Sequence, residues 1–321
     1  MSFLATFRER LVAFLFPPLS DTWLSILRIG LGCQILFYCL ALGKDWNQLF
    51  SSGKSGLISR GLMEDILALD SPLIPKLGWL VTLGAQLGLS EQTALGISWT
   101  LLLCAACLLI LGLFCRFSAI VTWFFFLCSV KSANWLTYGV DNVTTIGLFY
   151  LMLAPFPDHY ALDRKIWRSP IKDRHLHGFF RRVLQLHLSV IYFSGGVAKS
   201  LGAGWWNGES IWRALTRPPF NILPAHIVIS GRALLPIVGI AIVLLETGYP
   251  IFIWLKKTRL IWLIAIIGMH IGIAFTMGLY LFALIMIVLN LAAFAPEFLF
   301  RERRSEDSLS AGATNSTPVG S

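Results

Sequence analysis

Long apolar blocks alternate with short polar segments along almost the whole chain. Eight blocks of about 15 to 22 residues carry few or no charged side chains, and a helix needs about 20 apolar residues to cross the hydrocarbon layer of a bilayer. A helix also satisfies its backbone hydrogen bonds within the segment, which is necessary because lipid tails offer no hydrogen-bond partners. The pattern therefore predicts an all-α fold, a polytopic membrane helical bundle with about eight transmembrane helices. The predicted spans are Thr22–Leu42, Thr93–Phe114, Ser118–Leu136, Asn142–Phe156, Val183–Ala198, Leu234–Leu255, Leu260–Met277 and Leu279–Phe294.

Two apolar stretches need a more specific interpretation. The run from Leu260 to Phe294 contains no charged residue and is too long for one crossing. Gly278 lies near its middle, and glycine readily takes the left-handed conformation of a tight turn, so we expect a turn there between the last two spans. The stretch Leu73–Leu89 is interrupted by Pro75 and by glycines, which favours a re-entrant or interfacial segment.

The two ends of the chain differ from its apolar centre. Residues 1–20 contain the amphipathic sequence SFLATFRERLVAFLF followed by two prolines, which predicts an interfacial N-terminal helix on the membrane surface. Residues 21–298 hold all eight predicted spans and form the predicted transmembrane domain. Residues 299–321 are mostly polar and small, which predicts a disordered tail.

Composition and charge favour a membrane protein over the alternatives. The 321 residues are 56% hydrophobic and 13% charged, with a mean hydropathy of +0.71, whereas soluble domains have about 25% charged residues. The net charge of +9 does not indicate nucleic-acid binding, because the Lys and Arg lie in short loops that set membrane orientation. With the N-terminus inside, the inner segments carry 16 of the 26 Lys and Arg, and the outer segments carry nine. We therefore predict a cell-membrane protein with both termini in the cytoplasm and the lipid bilayer as its partner.

The short signatures of common enzyme classes are missing. No phosphate-binding loop, zinc-protease helix, serine nucleophile elbow or Rossmann fingerprint occurs in a suitable context. We predict no metal site, and candidate functional residues have to be sought among the polar side chains of the spans.

Two ionisable residues fall near the middle of predicted spans. Glu246 lies about halfway along the sixth span and His270 about halfway along the seventh, so they can sit at similar depth. A charged side chain in mid-bilayer costs roughly 2.5–3.5 kcal/mol on insertion scales and calls for a partner, a water cavity or a function. Two interpretations remain open: a pair for proton transfer or substrate binding, or hydrogen bonds that only fix helix packing.

Lys199 ends the fifth predicted span and shares a helix face with Tyr192, seven residues earlier. Gly195 and Gly196 lie between them, where a ligand or another helix can approach closely. One interpretation is that Lys199 extends its charge to the outer surface. The other is that its partly desolvated amine acts as a general base.

Other polar residues lie near the ends of spans. Asp141 and Asn142 stand at the outer start of the fourth span, where they either face the same outer vestibule as Lys199 or cap the helix. Arg28 lies within the first span, and we expect its charge either to reach the surface or to be paired.

Three segments carry a resemblance to a known family: LTYGVDNVTTIGLFYLMLAPFPDHYALD, VIYFSGGVAKSLGAGWWNGESIW and IIGMHIGIAFTMGLYLFALIMIVLNLAAFAP. They resemble the horizontally transferred transmembrane (HTTM) superfamily, which includes the vitamin K-dependent γ-glutamyl carboxylase. The carboxylase uses the lysine of a YF-x-x-G-V-x-K stretch as the base that deprotonates reduced vitamin K. The residues that match this stretch are Tyr192, Phe193, Gly196, Val197 and Lys199.

The resemblance implies roles for single residues. Lys199 would be the catalytic base, His270 resembles a histidine of the carboxylase's seventh span, and the cofactor would be a quinone. Asp141 and Asn142 stand where the carboxylase has an Asn-His pair, so one expected donor is replaced. We also expect the chain to lack the carboxylase's large lumenal peptide-binding domain.

Three stretches, GVDNVTTIGLFYLMLAPF, the extended GWWNGESIW and HIGIAFTMG, look closer to a second branch. This branch is the bacterial sporulation-delaying protein B family, which is needed to mature a secreted antimicrobial peptide. The hypothesis that follows is a bacterial membrane protein that modifies or matures an exported peptide at the outer side. Its site would be lined by Lys199, His270, Tyr192, Asp141, Asn142 and Glu246. The alternatives are a non-catalytic scaffold or export partner of other membrane proteins, and a quinone- or lipid-binding carboxylase-like enzyme.

Overall fold

Helices occur in the structure at each of the eight predicted spans. The computed structural model describes residues 3–52, 60–168 and 172–299, within which there are seventeen α-helices and no β-strand. In chain order they are α1 (Phe3–Leu15), α2 (Thr22–Leu42), α3 (Trp46–Phe50), α4 (Arg60–Asp70), α5 (Leu77–Gln86), α6 (Glu91–Leu111), α7 (Cys115–Ser132), α8 (Gly139–Leu153), α9 (Leu162–Trp167), α10 (Arg174–Ser200), α11 (Ala203–Trp206), α12 (Glu209–Thr216), α13 (Ala225–Ser230), α14 (Leu235–Phe252), α15 (Arg259–Met277), α16 (Tyr280–Phe294) and α17 (Pro296–Leu299).

The predicted span ends and the observed helix ends agree best where a strong local signal in the sequence marks them. Helix α2 has the same ends as the first predicted span. Gly278 separates α15 from α16 with a left-handed φ of 71°, so the predicted turn is confirmed. Helix α10 begins at Arg174 and not at Val183, because its first turns are polar and a hydropathy argument does not register them.

Several helices have the length and composition to cross a membrane. Of the described helices, five segments qualify: Thr22–Leu42, Glu91–Leu111, Cys115–Ser132, Arg232–Phe252 and Arg259–Met277. Two further apolar helices, α8 and α16, are shorter. Helix α10 is longer than any of these, with 27 residues, but more polar. The structure thus supports a membrane-spanning helical bundle, while the count of eight stays a prediction.

Helix α2 lies in the interior of the bundle. It packs against α6, α8 and α16, and Leu24, Leu27, Leu31 and Ile35 are fully buried. Steps of three and four residues place these side chains on one face of the helix.

Helices α10 and α14 form the most extensive helix pair and carry the site. Along α10 the buried positions Leu184, Leu188, Tyr192 and Gly196 recur every four residues, which is the spacing of a single helix face. A Cβ at Gly196 would lie 2.6 Å from the backbone nitrogen of Thr247 on α14. The missing side chain therefore lets the two backbones approach.

Helices also occur in two segments outside the predicted spans, the N-terminal segment and the stretch Leu73–Leu89. Helix α1 lies within the predicted interfacial segment and contacts α10. The stretch Leu73–Leu89 contains the short helix α5. The predicted disordered cytoplasmic tail, residues 299–321, lies outside the described residues except for Leu299, which ends α17.

Candidate functional site

Lys199 and Glu246 form an ion pair between α10 and α14. The Lys199 Nζ atom donates a hydrogen bond of 2.5 Å to Glu246 Oε2. The lysine side chain is 26% exposed and the glutamate side chain 9%, so the pair lies at the edge of the bundle interior. The ammonium also lies 5.4 Å from the centre of the Trp205 ring, within cation–π range. Lys199 is therefore paired and not simply extended into the surroundings.

Gly195 places no side chain next to this pair. A Cβ at this half-buried position would lie 3.3 Å from Glu246 Oε2 and 3.4 Å from Lys199 Nζ, and no other neighbour lies within 4 Å. The surface above Gly195 is therefore bordered by both charged groups. A substrate that reaches Lys199 along α10 meets no side chain at this position.

A chain of four polar side chains lies in the bundle interior. Tyr192 OH and His270 Nε2 are 2.8 Å apart, and Asn290 Nδ2 donates to Tyr192 OH over 2.8 Å. Tyr249 OH donates to Asn290 Oδ1 over 2.7 Å. We name these four residues the polar chain. None of them is more than 3% exposed, and they connect α10, α14, α15 and α16.

The polar chain lies close to the ion pair. Both include residues of α10 and α14: Lys199 follows Tyr192 by seven residues on α10, and Glu246 precedes Tyr249 by three residues on α14. The centres of the Tyr192 and Tyr249 rings are 4.3 Å apart. The structure thus brings together four of the residues considered from sequence. The direct hydrogen bonds of Glu246 and His270, however, go to Lys199 and Tyr192 and not to each other.

Asp141 and Asn142 occupy a different surrounding from the ion pair. The Asp141 carboxylate accepts a 3.0 Å hydrogen bond from the backbone nitrogen of Tyr138, which ties down the start of α8 in the manner of a capping residue. Asn142 is exposed. No described hydrogen bond or ion pair connects Asp141 to Lys199, Glu246 or His270.

Sequence reasoning missed two members of the polar chain. Helix α16 has the sequence YLFALIMIVLNLAAF. Apart from the tyrosine at its start, Asn290 is its one polar residue. The argument that singled out Glu246 and His270 applies to it equally. Tyr249 gives no such signal, because a tyrosine in an apolar span is common at a membrane interface.

Two buried charge clusters lie away from this site. Arg28 and Asp158 are fully buried and paired at 2.6 Å, so the paired interpretation of Arg28 is confirmed. Arg60 binds Glu64 at 2.9 Å and Glu91 at 2.7 Å. Within residues 3–52, 60–168 and 172–299, no group of His, Cys, Asp or Glu side chains could hold a metal ion.

Apolar helices long enough to cross a membrane, with charged side chains paired between them, define a multi-pass α-helical membrane protein. The family model described as HTTM domain matches residues 83–298, and the chain belongs to this family. The match covers more than half of the chain and includes the ion pair and the polar chain. Comparisons with curated proteins and with solved structures gave no match.

Proposed function

We propose that this HTTM family protein is a membrane-embedded enzyme in which Lys199 is the general base, and that its substrate is an exported peptide modified at the outer side of the membrane. The observation that carries the proposal is the Lys199–Glu246 ion pair, which is partly buried and borders Gly195, a position without a side chain. A lysine that served only to reach the membrane surface would not need a buried carboxylate as its partner.

The pair can supply a base without a net change of charge. Removing two opposite charges from water is costly for each of them, which narrows the free-energy gap between the ion pair and its neutral form. A proton that passes from Lys199 Nζ to Glu246 Oε2 leaves a neutral amine, which is the form that accepts a proton. The direct hydrogen bond between these atoms provides the path for such a transfer.

The peptide substrate is supported by the resemblance of the segments around Lys199 and His270 to the sporulation-delaying protein B family. The carboxylase resemblance implies a reduced quinone as the cofactor, and an amine beside an aromatic ring, as at Lys199 and Trp205, fits a planar ring with an acidic hydroxyl. When bound, it would supply an acidic hydroxyl. Lys199 is the residue that would take that proton, and the Trp205 ring beside it offers a flat apolar surface.

A scaffold function is the second candidate, and one observation favours it. The polar chain is closed by direct hydrogen bonds between four helices, which is what a purely structural network requires. In a scaffold Lys199→Arg is tolerated, because an arginine can still pair with Glu246. In an enzyme it is not, because arginine stays protonated and cannot act as a base.

The test compares exported peptides by mass spectrometry in cells with the wild-type protein, Lys199→Ala and Lys199→Arg. We expect both variants to insert into the membrane and to lose the peptide modification. Lys131→Ala is the matched control, since Lys131 also lies in the last turn of an apolar helix but has no ion pair among the described residues. Unchanged peptides in both Lys199 variants would refute the base; loss in Lys199→Ala with retention in Lys199→Arg would favour the scaffold.

A further inference from the structure

The hydrogen bonds of Asn290 fix the orientation of its side-chain amide. One atom of the amide lies 2.8 Å from the backbone carbonyl oxygen of Met286. A carbonyl oxygen only accepts, so this atom must be the nitrogen Nδ2. The second hydrogen of Nδ2 then points to the Tyr192 hydroxyl, and Oδ1 accepts from Tyr249.

The orientation of Asn290 in turn fixes the proton of Tyr192. Because the Tyr192 oxygen already accepts from Asn290, its single hydrogen is free to be donated. The acceptor within reach is His270 Nε2, at 2.8 Å. The alternative, in which His270 donates to Tyr192, leaves the hydroxyl hydrogen without an acceptor in a buried site, which is unfavourable.

His270 is therefore held as one neutral tautomer. Its Nε2 accepts from Tyr192, so the ring hydrogen is on Nδ1. A doubly protonated ring is disfavoured, because the ring is buried and no carboxylate contacts it among the described residues. Nδ1 is buried and has no hydrogen-bond partner within the described part of the chain. The result is a buried donor for which the described residues supply no acceptor.

We propose that the Nδ1–H of His270 donates a hydrogen bond to an oxygen acceptor on the substrate, a carbonyl or an oxygen that becomes anionic during the reaction. The proposal rests on the proposed function and adds the substrate class. Lys199 breaks an acidic X–H bond of the substrate and takes the proton at Nζ. The bonding electron pair stays on the substrate and is delocalised to the oxygen that His270 binds, where a fixed donor stabilises developing negative charge.

Two features of the geometry support this assignment over a purely structural histidine. A structural histidine needs only one hydrogen bond to fix two helices, and it leaves a buried donor unpaired only at a cost. The polar chain also sets the tautomer through three consecutive hydrogen bonds from α14, α16 and α10. That arrangement keeps His270 Nδ1 a hydrogen-bond donor whether or not a ligand is bound, which suits recognition of an acceptor.

The test is nuclear magnetic resonance of the full chain in lipid nanodiscs with ¹⁵N-labelled histidine. The six histidines are assigned by loss of one signal in His270→Gln. We expect His270 to be protonated on Nδ1 and not on Nε2, and Tyr192→Phe to give a mixture of both tautomers. Tyr150→Phe is the matched control, because it breaks the 2.8 Å contact between Tyr150 and His187 and should change His187 alone.

Ligand binding is tested with 2-undecanone, a membrane-soluble ketone that accepts but does not donate hydrogen bonds, against undecane. We expect the ketone, and not the alkane, to shift the Nδ1–H signal of His270. An Nε2–H tautomer in the wild type overturns the proposal, and so does a Nδ1–H signal that the ketone leaves unchanged because it is bonded to water. If the tautomer and the ketone shift are found but Lys199→Ala leaves peptides modified, the proposed function fails while the His270 assignment stands.

Discussion

At the scale of single residues, Gly195 borders both charged groups of the ion pair, and under the proposed function a side chain added there would stand between Lys199 and its substrate. A methyl group there would contact both Lys199 and Glu246 at 3.3 to 3.4 Å without touching backbone, so the fold can accept it. We expect Gly195→Ala to reduce peptide modification on the order of tenfold to a hundredfold, since small displacements at a reacting centre have effects of that size. Thermal stability in detergent should change little.

Gly272→Ala is the matched control for Gly195→Ala. Gly272 lies on α15 two residues after His270, and a Cβ there would have no neighbour within 4 Å. Modification should stay at the wild-type level in this variant. Equal activity of both alanine variants would contradict the proposed approach of the substrate along α10.

The candidate residues illustrate what a sequence supplies and what it does not. Hydropathy singles out Glu246 and His270 because charged or polar groups in apolar spans are costly. It cannot supply their partners, because Glu246 bonds to a residue 47 positions away and His270 to one 78 positions away. Which pairs form depends on how α10, α14 and α15 are rotated about their axes, and a single sequence carries no direct signal for that rotation.

At the scale of elements, the contact between α10 and α14 depends on Gly196. A Cβ at this position would come within 2.6 Å of the Thr247 backbone nitrogen and 3.0 Å of the Glu246 carbonyl carbon. Backbone atoms cannot rotate away, so the helices must separate. We expect Gly196→Ala to destabilise the protein by about 1–3 kcal/mol, the range for overpacking, as a lower midpoint of thermal unfolding in detergent.

The control for Gly196→Ala is Gly268→Ala on α15. Gly268 is exposed and has no neighbour within 4 Å of an added Cβ, and alanine favours a helix over glycine by up to about 1 kcal/mol. This variant should be as stable as the wild type or slightly more stable. A Gly196→Ala protein with an unchanged midpoint would show that the helices are not held as closely as the structure indicates.

The helices themselves could be predicted well from sequence, and for identifiable reasons. Apolar length fixes most helix ends to within a few residues, and Gly278 provides the local signal that divides the last apolar run. The polar start of α10 could not be found this way. Its Arg181 is buried because its Nε donates to the Ala293 carbonyl on α16 at 2.9 Å, which is a contact between distant parts of the chain.

At the scale of the whole molecule, Arg28 joins three separate parts of the bundle. From α2 it donates to the Leu109 and Ile110 carbonyls at the end of α6, at 2.5 and 2.8 Å, and it binds Asp158 after α8. Removing one partner of a buried ion pair costs about 3–5 kcal/mol, because the other charge remains buried. We expect Arg28→Met to lose stability of that order, measured by unfolding in detergent.

The double variant Arg28→Met with Asp158→Asn tests whether the unpaired Asp158 charge causes the loss of stability. It removes both charges while asparagine keeps the size of the side chain and can still accept from Ser25. The double variant should therefore be more stable than Arg28→Met alone. If it is less stable by the full sum of the two single changes, the two residues contribute independently and the pair does not hold the bundle together.

The orientation of the whole molecule depends on whether α10 crosses the membrane, because Lys199 lies at one end of this helix and the most basic segment at the other. With 27 residues and a rise of about 1.5 Å per residue, α10 is longer than the roughly 30 Å hydrocarbon layer. Three of its polar side chains are turned inward, since Arg181, Gln185 and Tyr192 are buried. We therefore expect reporter fusions after Trp167 and after Asn207 to report opposite compartments, with Trp167 in the cytoplasm.

Fusions after Ser90 and Leu113, on either side of α6, calibrate the assay. If Trp167 and Asn207 report the same side, α10 does not cross, and Lys199 cannot serve a substrate outside the cell.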